Sequence, residues 1–162
     1  MSIPDGFRLA IEEAPTRADR AFIDQALDDF NAERWPGHPI ERVGVMLRDA
    51  DGGLVAGLDG VAYGGWLFVN NLWVSEPLRR RGVGRTLVAE AEREALKRGC
   101  HSAWLDTFSF QAPEFYPKLG YEIFATLDYP PAHRRYFLRK HLRQPTLAPM
   151  ALDAVDRPPH MG

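Results

Sequence analysis

The chain has 162 residues, 45% of them hydrophobic and 26% charged, with a net charge of −2. That length suits one domain with its own core, and the near-neutral charge argues against a general nucleic-acid binder. The single cysteine, Cys100, excludes a disulfide framework and a multi-cysteine zinc site, and no run nears the ~18 apolar residues of a membrane span.

The stretch from Ser2 to Arg8 lacks a basic-then-apolar leader pattern, so the expected location is the cytoplasm. Phe7, Leu9 and Ile11 alternate with polar neighbours and predict a first strand to Glu13. Thr16 follows Pro15 as an N-cap for a helix to about Glu33, with Phe22, Ala26, Leu27 and Phe30 on one face. Trp35-Pro36-Gly37-His38-Pro39 ends it. Val43, Val45 and Leu47 then alternate toward Asp51-Gly52-Gly53, a hairpin signal. A return strand from about Leu54 to Tyr63 is interrupted by glycines, and Gly64-Gly65 leads into a strand from Trp66 to Val74. These three segments predict an antiparallel meander.

The stretch from Leu72 to Leu87 is the most informative. An apolar run stops at Pro77, passes Arg79, Arg80, Arg81, Gly82 and Gly84, and opens directly into a helix. Val83, Leu87, Ala91 and Ala95 recur at four-residue steps, Lys97 and Arg98 close the last turn, and Gly99 stops it. That order brings bare backbone N–H groups and the positive end of a helix dipole to one point, an anion site, with glycines admitting phosphate oxygens. A solvated arginine cluster before an ordinary helix is the alternative. Charge is uneven along the chain: residues 79–98 hold seven Lys or Arg against three Glu, and residues 1–40 hold four Arg against eight acids.

Beyond the helix, the patterns predict a strand from Ser102 to Thr107, a short helix from Pro113 to Leu119, and strands from Tyr121 to about Leu127 and Arg135 to Leu142. Residues 144–162 carry four prolines and few large apolar groups, which predicts a flexible tail after a domain of residues 1–143. Trp66, Trp73 and Trp104 read as core residues on strands. Cys100 reads as buried, and the five histidines show no metal-ligand spacing, so no metal is expected. The arginines from Arg134 to Arg143 read as the wet face of the last strand.

From Phe7 to Arg143 the chain resembles the GCN5-related N-acetyltransferase (GNAT) superfamily. Arg79, Gly82 and Gly84 match its Arg/Gln-x-x-Gly-x-Gly/Ala signature, and Ala112, Phe115, Tyr116, Gly120 and Tyr121 match its Ala-x-x-Phe-Tyr-x-x-x-Gly-Phe/Tyr segment. The resemblance implies a mixed α+β acyl-CoA N-acyltransferase fold: a twisted, mostly antiparallel sheet, splayed after its fourth strand and flanked by helices. It implies acetyl-CoA as cosubstrate in that split. The backbone at Leu72 and Val74 would meet the pantetheine, the loop of Arg81, Gly82, Val83, Gly84, Arg85 and Thr86 the pyrophosphate, and Arg79 would brace the loop. Tyr116 corresponds to the tyrosine that faces the thioester sulfur. The chain departs from the pattern at Ser109, where many members have Asn, and at Arg80, where Gly is frequent.

Acetyl transfer to an amine by direct attack on the thioester needs a neutral nucleophile, a polarised carbonyl and a protonated leaving thiolate. A phenol with a reference pKa of ~10, such as Tyr116, can donate to a thiolate of ~8.5; a packing role beside Phe115 is its alternative. Asp106 at a strand end is the candidate base, with a structurally paired carboxylate as the equal alternative. Asn70 and Asn71 are candidates to orient the acceptor, and Trp35 with Tyr63 to line its pocket. The expected acceptor is a small-molecule amine, with a protein or peptide second, and no nucleic acid or membrane partner; homodimers are common in the family. Two other classes remain open: a non-catalytic acyl-CoA sensor on the same fold, and a dinucleotide-dependent oxidoreductase using Gly82, Gly84 and Asp106. Against the latter, Leu87 stands at the third glycine position and hairpin strands precede the turn.

Overall fold

A computed structural model describes residues 3–143; the predicted tail lies outside the described residues. The chain divides into two compact units, Met1–Pro39 and Ile40–Gly162. The first holds one helix, α1 (Arg17–Arg34), whose N-cap Thr16 accepts a hydrogen bond from the Asp19 N–H at 3.0 Å. The predicted strand from Phe7 to Glu13 does not form. Alternation fits a segment for a sheet, but a strand exists only where an edge pairs with it, and this unit has no other strand among its described residues.

The second unit carries β1 (Glu41–Arg48), β2 (Leu54–Tyr63), β3 (Trp66–Val74), α2 (Val83–Lys97), β4 (Ser102–Phe108), β5 (Glu122–Tyr129) and β6 (His133–His141). They form one six-stranded sheet in the order β1-β2-β3-β4-β6-β5. Every neighbouring pair is antiparallel except β3 with β4. The meander read from the sequence is β1-β2-β3. The predicted short helix is two 3-10 turns, Pro113–Phe115 and Pro117–Leu119, each with a proline at its start. Proline lacks the N–H that a continuous α-helix would need at Pro117.

Alternation along β2 sends Ala56, Leu58 and Ala62 to one face and Asp59, Val61 and Tyr63 to the other. On the first face, α2 lays down Leu87, Val88, Ala91 and Ala95, which meet Leu67, Val69, Leu105 and Leu138 in the core. The Arg98 side chain ties the end of α2 to the sheet edge by donating to the Arg42 carbonyl at 2.8 Å. On the opposite face Phe68 and Trp104 stack at 3.9 Å.

β3 and β4 part company early. They pair from Trp66 with Ser102 to Val69 with Leu105, and there the ladder stops. β3 runs on from Asn70 to Val74 held only by β2, while β4 turns with β6. The parting coincides with a bulge: Asp59 pairs with Asn71 and Gly60 with Val69, so Asn70 is the extra residue. A Cβ at Gly60 would lie 2.4 Å from the Phe68 carbonyl oxygen. Glycine is therefore required on β2 for β3 to approach and bulge there. The resemblance placed the split after the fourth strand; it falls after the third, because the segment from Phe7 to Glu13 supplies none.

Gly60→Ala should therefore destabilise the protein by about 1–3 kcal/mol, the range for overpacking a fixed site. Urea unfolding measures it. A loss under about 0.5 kcal/mol would mean that the β2–β3 approach is softer than its geometry indicates.

Candidate active site

The parted strands open a cleft of about 1060 Å³. Its walls are the free run of β3 with Asn70, Asn71, Leu72 and Val74, the loop and first turn of α2, the end of β4 with Asp106, and the 3-10 segment with Tyr116. The edge of β3 that faces the gap has lost its strand partner beyond Val69, so its backbone groups there are available to a ligand.

The α2 entrance is built by backbone conformation. Gly82 is the N-cap in the left-handed region, φ 81°, and offers no side-chain cap. The first N–H groups of a helix have no intrahelical acceptor, and here no side chain takes one. A Cβ at Gly82 would meet nothing within 4 Å, so this position is open. Thr86 differs: its N–H and its hydroxyl both donate to the Gly82 carbonyl, at 3.1 and 3.3 Å. It belongs to the helix ladder, and with Arg81 it is absent from the cleft lining, whereas Val83, Gly84 and Arg85 line it.

Arg79 reaches back and its Nε donates to the Val74 carbonyl at 3.0 Å, tying the loop to the end of β3. Arg80 takes the left-handed conformation, φ 59°, which glycine adopts without steric cost. Holding a residue with a Cβ in that region costs on the order of 1 kcal/mol.

Gly84 has a second role that sequence reasoning did not find. A Cβ there would lie 3.2 Å from Cζ of Phe115 and 3.8 Å from a methyl of Val74. The missing side chain lets α2 and the segment before Tyr116 close on each other. Tyr121 and β6 fasten the same segment from beyond. Tyr121, 3% exposed, donates to Oε1 of Glu92 at 3.0 Å, and Lys140 grips both oxygens of Glu92 at 2.9 and 2.7 Å. Burial, then the Glu92 charge, pushes the Tyr121 phenol far above its ordinary value.

Tyr116 sits where the two 3-10 turns join, its ring edge-on to Phe115 at 5.1 Å and to Tyr121 at 6.0 Å. Burial raises its pKa from the ordinary 10, and the Asp106 charge raises it further. The phenol is thus held protonated. Asp106 is a paired carboxylate: Nε and a terminal nitrogen of Arg135 both reach its Oδ1 at 2.7 Å. Taking up a proton would mean giving up that charge-assisted contact. Its partner Arg135, the other arginines of β6 and Arg143 are all engaged: Arg134 with Asp128, Arg139 with Glu122, and Arg143 with the Gly99 carbonyl.

Among the predicted acceptor residues, Asn70 and Asn71 line the cleft. Tyr63 does not. It pairs with Trp66 at the hairpin opening β3, and at ~3.3 Å per residue that lies roughly 25 Å from Val74. Trp35 belongs to the first unit and stacks on His38 at 4.1 Å. Trp73 corrects another expectation: it is 51% exposed, not core, while Trp66 and Trp104 are half-buried. Cys100 is buried as predicted. No metal-binding cluster of three or more His, Cys, Asp or Glu occurs among the described residues, nor does a helix long and apolar enough to cross a membrane.

A strand, an uncapped helix, a parallel return strand and a half-buried phenol meet at one sheet split, the arrangement that the resemblance implies for an acyl-CoA N-acyltransferase fold. The family model for the GNAT acetyltransferases matches residues 8–121, and the chain belongs to that family. A blasticidin-S acetyltransferase of Streptomyces morookaense is 38% identical over 106 residues, 64% of this chain and 78% of that protein. The crystal structure of an acetyltransferase from Bacillus cereus superposes with a TM-score of 0.69 at 33% identity, covering 82% of this chain and 97% of that one. An aminoglycoside 6′-N-acetyltransferase solved with coenzyme A shares the fold, TM-score 0.58 at 22% identity, over 80% of this chain and 95% of its own. The protein is thus a coenzyme A-dependent acetyltransferase enzyme. The oxidoreductase reading falls, although β3, α2 and β4 do make the parallel βαβ unit it required. What separates the two is the gap: here the sheet itself opens.

Because α2 and the Tyr116 segment meet at Gly84, Gly84→Val should shift Phe115 and distort both walls. Thermal unfolding with and without coenzyme A reads this out. The wild type should gain melting temperature by mass action, and the variant should show none of that gain. A folded Gly84→Val protein with the full gain would remove α2 from the binding site.

Proposed function

We propose that the cleft binds acetyl-CoA and that the enzyme passes its acetyl group to an amine of a small molecule by direct attack. The observation that carries this reading is one cleft bounded by an unpaired strand edge, an uncapped helix N-terminus and the half-buried phenol of Tyr116. Membership of the family supports acetyl-CoA, and the Streptomyces relative, named for blasticidin-S, supports a small-molecule acceptor over a protein.

The residues fit the cosubstrate in kind. The N–H groups of Val83, Gly84 and Arg85 point a helix dipole at a diphosphate, with Arg80 and Arg85 adding charge at the entrance. Arg79 keeps that loop against β3. The free backbone of β3 from Asn70 to Val74 pairs with the amides of an extended pantetheine arm, as one strand pairs with another. A backbone N–H near Val74 polarises the thioester carbonyl.

When bound, acetyl-CoA supplies an activated acyl carbon on a good leaving group. The transfer forms a C–N bond and breaks a C–S bond, so one proton must leave the nitrogen and one must reach the sulfur. Tyr116 holds the second proton: its raised pKa keeps the phenol neutral, so its hydroxyl can hydrogen-bond the departing sulfur and hand over the proton as charge develops there. Asp106, clamped by Arg135, acts beside it as a fixed charge that favours the neutral phenol and attracts a cationic amine. As a base it would work only by releasing Arg135. Asn70 and Asn71 orient the acceptor from the facing strand.

Tyr116→Phe keeps the ring and removes the donor. Its kcat should fall about 10²–10⁴-fold with little change in acetyl-CoA affinity. The wild-type rate should hold through the alkaline range until pH passes the phenol's ordinary value of 10, because its pKa is raised. Steady-state kinetics with a melting curve as folding control decides it. A variant within about threefold of wild type, with chemistry rate-limiting, would make Tyr116 a packing residue.

A further inference from the structure

Two aromatic side chains at the cleft stand in the open. Trp73 is 51% exposed and Phe110 is 63% exposed, and both line the cleft. One comes from the free run of β3 and the other from the turn just beyond β4. Trp73 pairs with Gly57 and follows Asn71 on the sheet face opposite α2, the face that carries Phe68 and Trp104. Phe110 follows the end of β4 and lies nearly parallel to Phe108, at 5.2 Å and 14°, with the His133 ring edge-on at 5.0 Å. Phe108 is backed by Arg135 at 5.3 Å over its ring and by Tyr129 edge-on at 5.1 Å. The cleft therefore has unlike entrances. Arginines stand at the α2 side, and the two rings line the cleft with Asp106 and Asn71.

Indole and phenyl rings in water are an unfavourable use of apolar surface, and grouped at a cleft mouth they mark a ligand site. Ring faces favour two partners: another flat π-system lying parallel, and a cation. The acceptor of an acetyltransferase is an amine, which arrives as a cation, so the second preference suits any acceptor. The first is selective. A saturated chain or ring covers the same apolar area but offers neither a flat face nor a quadrupole.

Resting on the proposed acetyl-CoA site, we infer that the acceptor is a flat, π-rich amine, aromatic or heteroaromatic, and that Trp73 and Phe110 select it. The ring of the acceptor lies against these side chains, and its amine extends past Asn71 and Asp106 toward Tyr116. The preference resides on the Trp73 and Phe110 side chains, outside the loop from Arg79 to Arg85, so acceptor choice is separable from that loop.

The test compares phenethylamine with cyclohexylethylamine, which match in reach and differ in ring planarity, with each rate referred to the concentration of neutral amine because the aryl ring makes phenethylamine the weaker base. With saturating acetyl-CoA, kcat/KM should favour the aromatic amine about threefold to tenfold, the range for an added ring–ring contact. Trp73→Leu and Phe110→Leu keep an apolar side chain at exposed positions, and each should bring that ratio toward one; with Phe110→Leu, which lies outside the strand that meets the pantetheine, the calorimetric Kd for acetyl-CoA should stay put. Calorimetry of both amines on the coenzyme A-loaded wild type should give the same order. A wild-type ratio near one, a ratio that survives both substitutions, or no preference in binding would overturn the inference alone. Failure of acetyl-CoA to bind at all would overturn the proposed function and this inference together.

Discussion

One backbone contact underlies the site: the Phe68 carbonyl lies so close to Gly60 that no side chain is possible there. That approach accompanies the Asn70 bulge, and the bulge changes which residues of β3 face the core. Leu67 and Val69 point inward before it, and Leu72 and Val74 still reach the core after it. A regular strand would have kept Val69, Asn71 and Trp73 on one face. The bulge lets β3 leave β4 without dragging polar residues into the interior. An unpaired sheet edge is ordinarily a liability, and here it becomes the wall of a cleft.

The second constraint keeps the two walls in step. Gly84 admits Phe115 against α2, and Glu92, reached by both Tyr121 and Lys140, fastens the far end of the same segment to the same helix. Tyr116 lies between these two fixings. Glu92 is only 13% exposed at its side chain, but it is bound by an ammonium and a hydroxyl. Buried charge is tolerable when it is fully engaged. The helix that opens at Gly82 thereby also fixes the Tyr116 segment, so the proposed cofactor turn and the proposed proton donor share one support.

Much of this was legible in the sequence, and the misses have physical causes. Val83 through Lys97 declared itself by period and by its glycine stop, and Arg79, Gly82 and Gly84 marked its entrance. The glycines of β2 were visible as interruptions, but their purpose depends on a neighbour met only in the folded sheet. Alternation at Phe7, Leu9 and Ile11 satisfied a local rule for a strand that lacks a partner. Trp73 read as core because strand tryptophans usually are, and only the bulge turned it outward. Tyr63 is close to Val74 in sequence pattern and far from it in space, because β3 runs the length of the sheet between them. Asp106 gave no sign of Arg135, which arrives from β6 after a long detour.

The central claim is that the parted edge of β3 and the first turn of α2 together hold coenzyme A. Amide hydrogen exchange, with and without coenzyme A, tests it directly. Protection should rise at amides within Asn70–Val74 and at Val83, Gly84 and Arg85, and stay unchanged from Trp66 to Val69, where β4 already pairs. Saturating coenzyme A that leaves both of those segments exchanging as before, while protecting residues elsewhere, would contradict the account.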